Sequence, residues 1–140
     1  TLKMVRKPIN NVMIIGGSHI GIYLSEKLLK SGVDVTIVDS DTSKCRELSE
    51  KLPEATIIYG NGTQQDLLLA EGLRDMDAVI TLTGMDEENM IISMFANSLD
   101  VLNILVLNLN LESVLNRHYQ INDIQRICTQ IFFHICFHCH

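Results

Sequence analysis

The sequence predicts an α/β fold built on a parallel sheet, and three observations carry that prediction. Short β-branched runs alternate with stretches of helical periodicity from residue 11 to about residue 109. The first run breaks into glycines at Gly16 and Gly17 and re-enters at once as a long helical pattern. An acid, Asp39, closes the second run. Strands alternating this regularly with helices make βαβ units. Their right-handed crossovers build a single doubly wound sheet, with a ligand crevice at the carboxyl ends of the strands where the order reverses.

Taken in order, residues 1–10 read as a lead-in, where Pro8 blocks a helix. The first strand begins near Asn11 and runs through Val12, Met13, Ile14 and Ile15. From His19 the apolar positions Ile20, Leu24, Leu28 and Leu29 keep helical spacing, and Gly32 ends that helix. Residues 33–38 form a β-branched second strand. Thr42 or Ser43 offers a cap for a second helix reaching about Leu52, with Pro53 after it. Residues 55–59 make a short third strand, and Gly60-Asn61-Gly62-Thr63 a turn. Residues 64–73 read as a short helix stopped around Gly72. A fourth strand lies in 77–83, and a helix with an acidic first turn in 86–99, which suits its dipole. Residues 101–109 hold a fifth strand, and 112–125 carry a helical pattern. The folded domain is expected over 11–116, with 117–140 as an atypical tail.

Bulk properties exclude several classes. A chain of 140 residues suits one domain with one core. A net charge of -6 with scattered basic residues argues against a nucleic-acid surface, which needs clustered Lys and Arg. No apolar run approaches the roughly 20 residues that span a bilayer. The best candidate, 101–111, is short and carries Asn103, Asn108 and Asn110. The start lacks a signal-peptide core. Cys45 sits in a helical pattern, while Cys128, Cys136 and Cys139 crowd the end. That is no disulfide framework, and it fits a reducing cytosol.

The glycine turn is where chemistry enters. A strand leading through glycines into a helix presents free N–H groups and the positive end of a dipole, which attract a phosphate. In G-x-G-x-x-G the first glycine makes the turn, the second lets the backbone approach a pyrophosphate, and the third packs helix on strand. Here Gly16 is the first and Gly21 the third, but Ser18 stands at the middle position. Its Cβ and hydroxyl fall where bare backbone is expected, so binding is expected to be weakened or re-angled. His19 follows in the first helical turn, placed either to touch a ligand or to stand in solvent. Asp39 lies at the distance at which the dinucleotide fingerprint places an acid on the adenosine ribose. A carboxylate there favours NAD over NADP by repelling a 2′-phosphate. No arginine sits beside it; Ser40 and Asp41 follow.

Other segments open on the same edge. Asn61 and Thr63 either line an adenine pocket or merely make a turn. Asp86, Glu87 and Glu88 either meet a cation or repel a second phosphate, or only cap a helix. Met85, Met90, Ile91, Met94 and Phe95 form an apolar stripe, for which packing against the sheet is the expected role. A stripe wider than the sheet needs points instead to a subunit interface. In the tail, His134, Cys136, His138 and His140 alternate, yet they match no closed zinc spacing. The tail, with three phenylalanines, reads as foreign or out-of-frame sequence, and no metal site is expected. No nucleophile–base pairing and no substrate region are present, so no catalytic residue is expected.

Four ordered motifs now carry a family likeness: residues 12–21, 35–41, 59–63 and 77–89. Together they closely resemble the TrkA N-terminal, or RCK, domain, the regulator of potassium conductance. This is the cytosolic NAD(H)-binding module of bacterial Trk potassium-uptake systems and of potassium-channel gating rings. The likeness covers about residues 10–110. It implies a Rossmann-like fold and a cofactor, NAD or NADH, with ATP or ADP as alternatives. Gly16, Gly17, Ser18, His19 and Ile20 would hold the pyrophosphate, and Gly21 the helix packing. Asp39, with Ser40 beside it, would hold the adenosine ribose. Asn61 and Thr63 would flank the adenine, although the family usually has aspartate where Asn61 stands. Thr83 and Gly84 would approach the second nucleoside, with Glu88 bordering the same space. An arginine that the family often carries after the fifth strand has no counterpart at 106–108. The resemblance further implies a homodimer or larger oligomer and a membrane-embedded potassium transporter as partner. The module would be cytoplasmic, at the inner face of the membrane, without inserting into it. Such subunits carry two modules in tandem, and the lead-in fits the second. Two rival readings are a cofactor-binding fragment of an NAD-dependent oxidoreductase and an interaction domain with a decayed site.

Overall fold

The computed structural model describes residues 9–101 and the backbone of 103–106. The lead-in 1–8, the end of the fifth strand after 106, the helical pattern at 112–125 and the Cys/His-rich tail lie outside the described residues. The chain runs β1 (Asn11–Ile15), α1 (His19–Lys30), β2 (Asp34–Asp39), α2 (Thr42–Lys51), β3 (Thr56–Tyr59), α3 (Gln65–Ala70), β4 (Ala78–Thr81), α4 (Asp86–Ser98) and β5 (Asn103–Val106). A 3-10 turn at Leu73–Asp75 lies between α3 and β4.

All pairings are parallel, in the order β3-β2-β1-β4-β5. The chain builds outward from β1 through β2 to β3, then crosses back to lay β4 on the other side of β1. The order therefore reverses between β1 and β4, where a doubly wound sheet opens its crevice. In register, Ile15 faces Val38 on one side and Thr81 on the other, so the three strands end level.

Both faces of the sheet are covered, which explains why the strands read as continuous apolar runs rather than alternating ones. Val12, Ile14, Val35, Ile37 and Ile80 pack with Leu24 and Leu28 of α1 and Leu48 of α2. Met13, Ile15, Val38 and Val79 pack on the other face with Leu68 of α3 and Ile92 and Ala96 of α4. The helix ends follow local chemistry. Past α1, Gly32 adopts φ +81, its N–H donates to Leu29 O, and the Val33 N–H donates to Leu28 O. This is a Schellman ending, which needs a residue at ease in the left-handed region. Helix α2 is capped one residue earlier than expected. Asp41, not Thr42 or Ser43, accepts the N–H groups of Ser43 (2.8 Å) and Lys44 (3.2 Å). Helix α3 stops at Ala70, short of the predicted end, because Gly72 turns left-handed at φ +88 and the chain tightens into the 3-10 turn.

The apolar stripe on α4 corrects the sequence reading. Asn89, Ile92 and Ala96 form its buried face, and Phe95 packs at the edge of the core. Met90, Ile91 and Met94 lie on the outer side at 51–68% exposure, and Met85 stands out at the helix start. The reason is register: positions i, i+3 and i+7 from Asn89 face the sheet, which rotates the methionines away. Among the described residues no helix is long and apolar enough to cross a membrane.

Candidate functional site

A crevice of about 470 Å³ opens at the carboxyl ends of β1, β2 and β4. Ile15, Val38 and Leu82 form its apolar floor, at the tips of the strands. Three loops wall it: the glycine turn after β1, the β2–α2 corner, and the β4–α4 corner. The turn after β3 closes the far end.

The glycine turn is built by steric necessity. Gly16 sits at φ +109, and a Cβ there would lie 2.6 Å from Leu82 O, so only glycine fits between the ends of β1 and β4. Gly62, in the turn after β3, is also confined, though by a side chain: its Cβ would meet Ile15 Cγ2 at 2.3 Å.

Asp39 joins the turn to the second strand. Its Oδ2 accepts the Gly17 N–H at 2.6 Å, and its Oδ1 accepts the Asp41 N–H at 2.8 Å. The side chain is 9% exposed and lines the crevice. A carboxylate has about four acceptor positions, so each oxygen retains one for a further donor such as a ribose hydroxyl. Beneath it the Cys45 thiol lies 3.4 Å from Asp39 O. Burial, and then the charges of Asp39 and Asp41, push that thiol's pKa up, so it stays protonated at neutral pH.

Of the residues singled out from sequence, Gly16, Gly17, Ser18, Asp39, Ser40, Asn61, Thr83, Gly84 and Glu88 line the crevice. His19, Ile20, Gly21 and Thr63 do not. His19 is exposed at the start of α1, and Ile20 packs on the core instead. Gly21 is buried, and a Cβ there would press on Gly16 O at 2.9 Å. Thr63 turns inward on its own loop, its N–H and hydroxyl both donating to Asn61 Oδ1. That leaves the Asn61 oxygen committed to the turn.

Ser18 has a role the glycine pattern did not reveal. It is the N-cap of α1, its Oγ accepting the Gly21 N–H at 3.3 Å from an ordinary extended backbone. Its oxygen therefore serves the helix. Ser18→Ala should lower unfolding stability by about 1 kcal/mol, and Ser18→Gly by only a few tenths, measured by urea denaturation.

Sequence reasoning missed Lys44 and Asp41 as wall residues. The available signal was spacing: a cap at Asp41 puts Lys44 on the same side one turn on. With Asp39, Asp41 and Glu88, Lys44 makes the rim charged but mixed. Among the described residues no cluster of His, Cys, Asp or Glu could hold a metal ion. Asn89 was also missed; its side chain holds Thr83 from within α4.

The TrkA-N domain profile matches residues 12–122. The chain belongs to the TrkA-N family. The family likeness drawn from the four motifs is thereby borne out. A Trk system potassium uptake protein TrkA homolog 2 of Methanosarcina mazei is 35% identical over 91 residues, 64% of this chain and 20% of that protein. The Trk system potassium uptake protein TrkA of Halomonas elongata is 34% identical over 106 residues, 76% of this chain and 23% of that protein. This TrkA-N chain thus spans about a fifth of the length of the curated relatives it matches. In fold it is similar to the TrkA-N domain of the inner membrane protein YbaL from Escherichia coli. The TM-score is 0.56 at 14% identity, covering 77% of this chain and 93% of that one. It is also similar to the Bordetella bronchiseptica enzyme WbmH solved with NAD+, at TM-score 0.56 and 21% identity, over 68% of this chain and 37% of that one. The two Trk relatives are named as potassium uptake proteins, not as enzymes.

Proposed function

We propose that this TrkA-N domain binds NAD or NADH across the tips of β1, β2 and β4, and that occupancy regulates a membrane-embedded potassium transporter. ATP and ADP share the adenosine diphosphate part and are the alternative ligands. The observation that carries this reading is Asp39. Its carboxylate stands in the crevice, tied to the glycine turn by the Gly17 amide, beside the place where α1 begins. Phosphates would lie at the turn and the N-terminus of α1. The adenosine ribose would lie at Asp39, and the second nucleoside at the β4–α4 corner. The relatives named as potassium uptake proteins, and the similar fold solved with NAD+, support the two halves of the reading.

Regulation needs two arrangements that the ligand distinguishes, since a ligand shifts an equilibrium only by its difference in affinity. Paired domains supply them. The exposed face of Met90, Ile91 and Met94 supports pairing into a homodimer or larger assembly.

Titration calorimetry of the purified chain with NADH, NAD, ATP and ADP is the test. At least one should bind with a dissociation constant in the micromolar range. No heat with any of the four at millimolar concentration overturns the reading.

A further inference from the structure

We propose that Asn89 is a positioning residue for the crevice, holding the β4–α4 corner as a preshaped wall for the second half of a dinucleotide. The inference rests on the nucleotide reading above and adds a residue to it. Asn89 is 0% exposed, a polar side chain inside the first turn of α4. Burial of an amide is costly unless its donors and acceptor are satisfied. Here the acceptor and one of the two Nδ2 hydrogens are spent on one residue. Oδ1 accepts the Thr83 N–H at 2.9 Å and the Thr83 hydroxyl at 2.7 Å, and Nδ2 donates to Thr83 O at 3.1 Å. One side chain therefore holds both main-chain polar groups of a wall residue six positions earlier.

Asparagine suits this task because it carries an acceptor and a donor on one short planar group. Aspartate lacks the donor, and an apolar residue lacks both. The corner has little else to fix it. Nothing lies within 4 Å of where a Cβ on Gly84 would stand, so no neighbour packs there. Met85, the N-cap of α4, makes no side-chain capping bond. The Thr83 hydroxyl oxygen, which accepts the Met85 N–H at 3.4 Å, and the Asn89 amide tie strand, corner and helix together.

Position gives the clamp a specific consequence. Asp39 and Lys44 stand at the β2 side of the crevice, whereas Thr83, Gly84 and Glu88 stand at the β4 side. A ligand that fills only the β2 side does not reach the clamped corner. A dinucleotide does. Releasing Thr83 should therefore penalise NADH and spare AMP.

The experiment compares calorimetry of NADH and AMP on wild type and Asn89→Ala, with amide hydrogen exchange read at Thr83 and Gly84. The NADH dissociation constant should rise about tenfold, the cost of orphaned main-chain groups. AMP should change by less than about twofold. Exchange at both amides should speed up in the variant. Asn89→Asp keeps shape and acceptor but loses the donor, and carries the same comparison should the alanine variant not fold. Unchanged NADH affinity in a folded variant overturns this inference alone, as does a parallel loss of AMP and NADH, which marks a scaffold residue only. A wild-type chain that binds neither compound overturns this inference, and the nucleotide reading with it when NAD, ATP and ADP also give no heat.

Discussion

Asp39→Ala is expected to weaken NADH and AMP alike by about 100-fold, roughly 2.7 kcal/mol, and to destabilise the unliganded domain by about 2 kcal/mol. Both effects come from one carboxylate with two tasks. In the free protein it accepts the Gly17 and Asp41 amides, at 2.6 and 2.8 Å, and so joins the glycine turn to the β2–α2 corner. Hydrogen bonds to an ionised acceptor are about twice as strong as neutral ones, and losing the acceptor leaves two donors facing a near-buried gap. In the complex the remaining acceptor positions take the ribose. Asp39→Asn separates the tasks. It keeps the shape, but its NH2 group faces an amide donor on one side, so an intermediate loss is expected in both stability and affinity. Urea denaturation and calorimetry read the two quantities. Affinity within twofold of wild type in Asp39→Ala would place the ribose elsewhere.

The likeness between NADH and AMP in this variant is as informative as the loss itself. Both ligands share the adenosine that Asp39 would grip, so both should suffer. At Asn89 they should part. The two variants together map which end of the crevice takes which half of the ligand, without any assumption about the transporter.

Much of this was legible in the sequence, for physical reasons that differ by element. β1, β2 and β4 were readable because a parallel sheet buried on both faces demands unbroken apolar runs, and Val12–Ile15 or Ala78–Thr81 fit no exposed role. Gly32 was readable as a helix stop because a Schellman ending favours glycine. Asp39 was readable because it closes the second strand at the distance from the glycine turn at which the dinucleotide fingerprint places an acid. Asp41 was not distinguished as the cap, since Asp41, Thr42 and Ser43 are all good caps and only the entry angle of the chain chooses among them. The α4 face was misread because Met90, Ile91 and Met94 are more apolar than Asn89, and hydrophobicity alone assigns the stripe to the core. The buried Asn89 wins the inner position through three hydrogen bonds to Thr83, a partner no periodicity can name. Ser18 was weighed as a defect in a phosphate turn, whereas its hydroxyl oxygen is spent on capping α1.

Gly16→Ala is expected to be the most damaging single-methyl change in the domain, and Gly84→Ala nearly silent in stability, although both glycines line the same crevice. At Gly16 two costs add. The backbone sits at φ +109, where an L side chain is strained by about 1–3 kcal/mol. The new Cβ would also stand 2.6 Å from Leu82 O and 2.7 Å from Leu82 C. These are main-chain atoms of the neighbouring strand end, which cannot swing aside as a side chain can, and overpacking of this kind costs about 1–3 kcal/mol more. The sum is a large share of the roughly 5–15 kcal/mol that holds a domain together. Melting should fall by at least about 10 °C by circular dichroism. At Gly84 no neighbour lies within 4 Å of the added methyl and the backbone is not left-handed, so the change should stay within about 0.5 kcal/mol. Any loss of NADH affinity in folded Gly84→Ala then reports the crevice itself, because the methyl projects into open space beside Thr83. Equal melting temperatures for the two variants would mean that the ends of β1 and β4 do not close on Gly16, and the crevice would lose the wall on which its phosphate end depends.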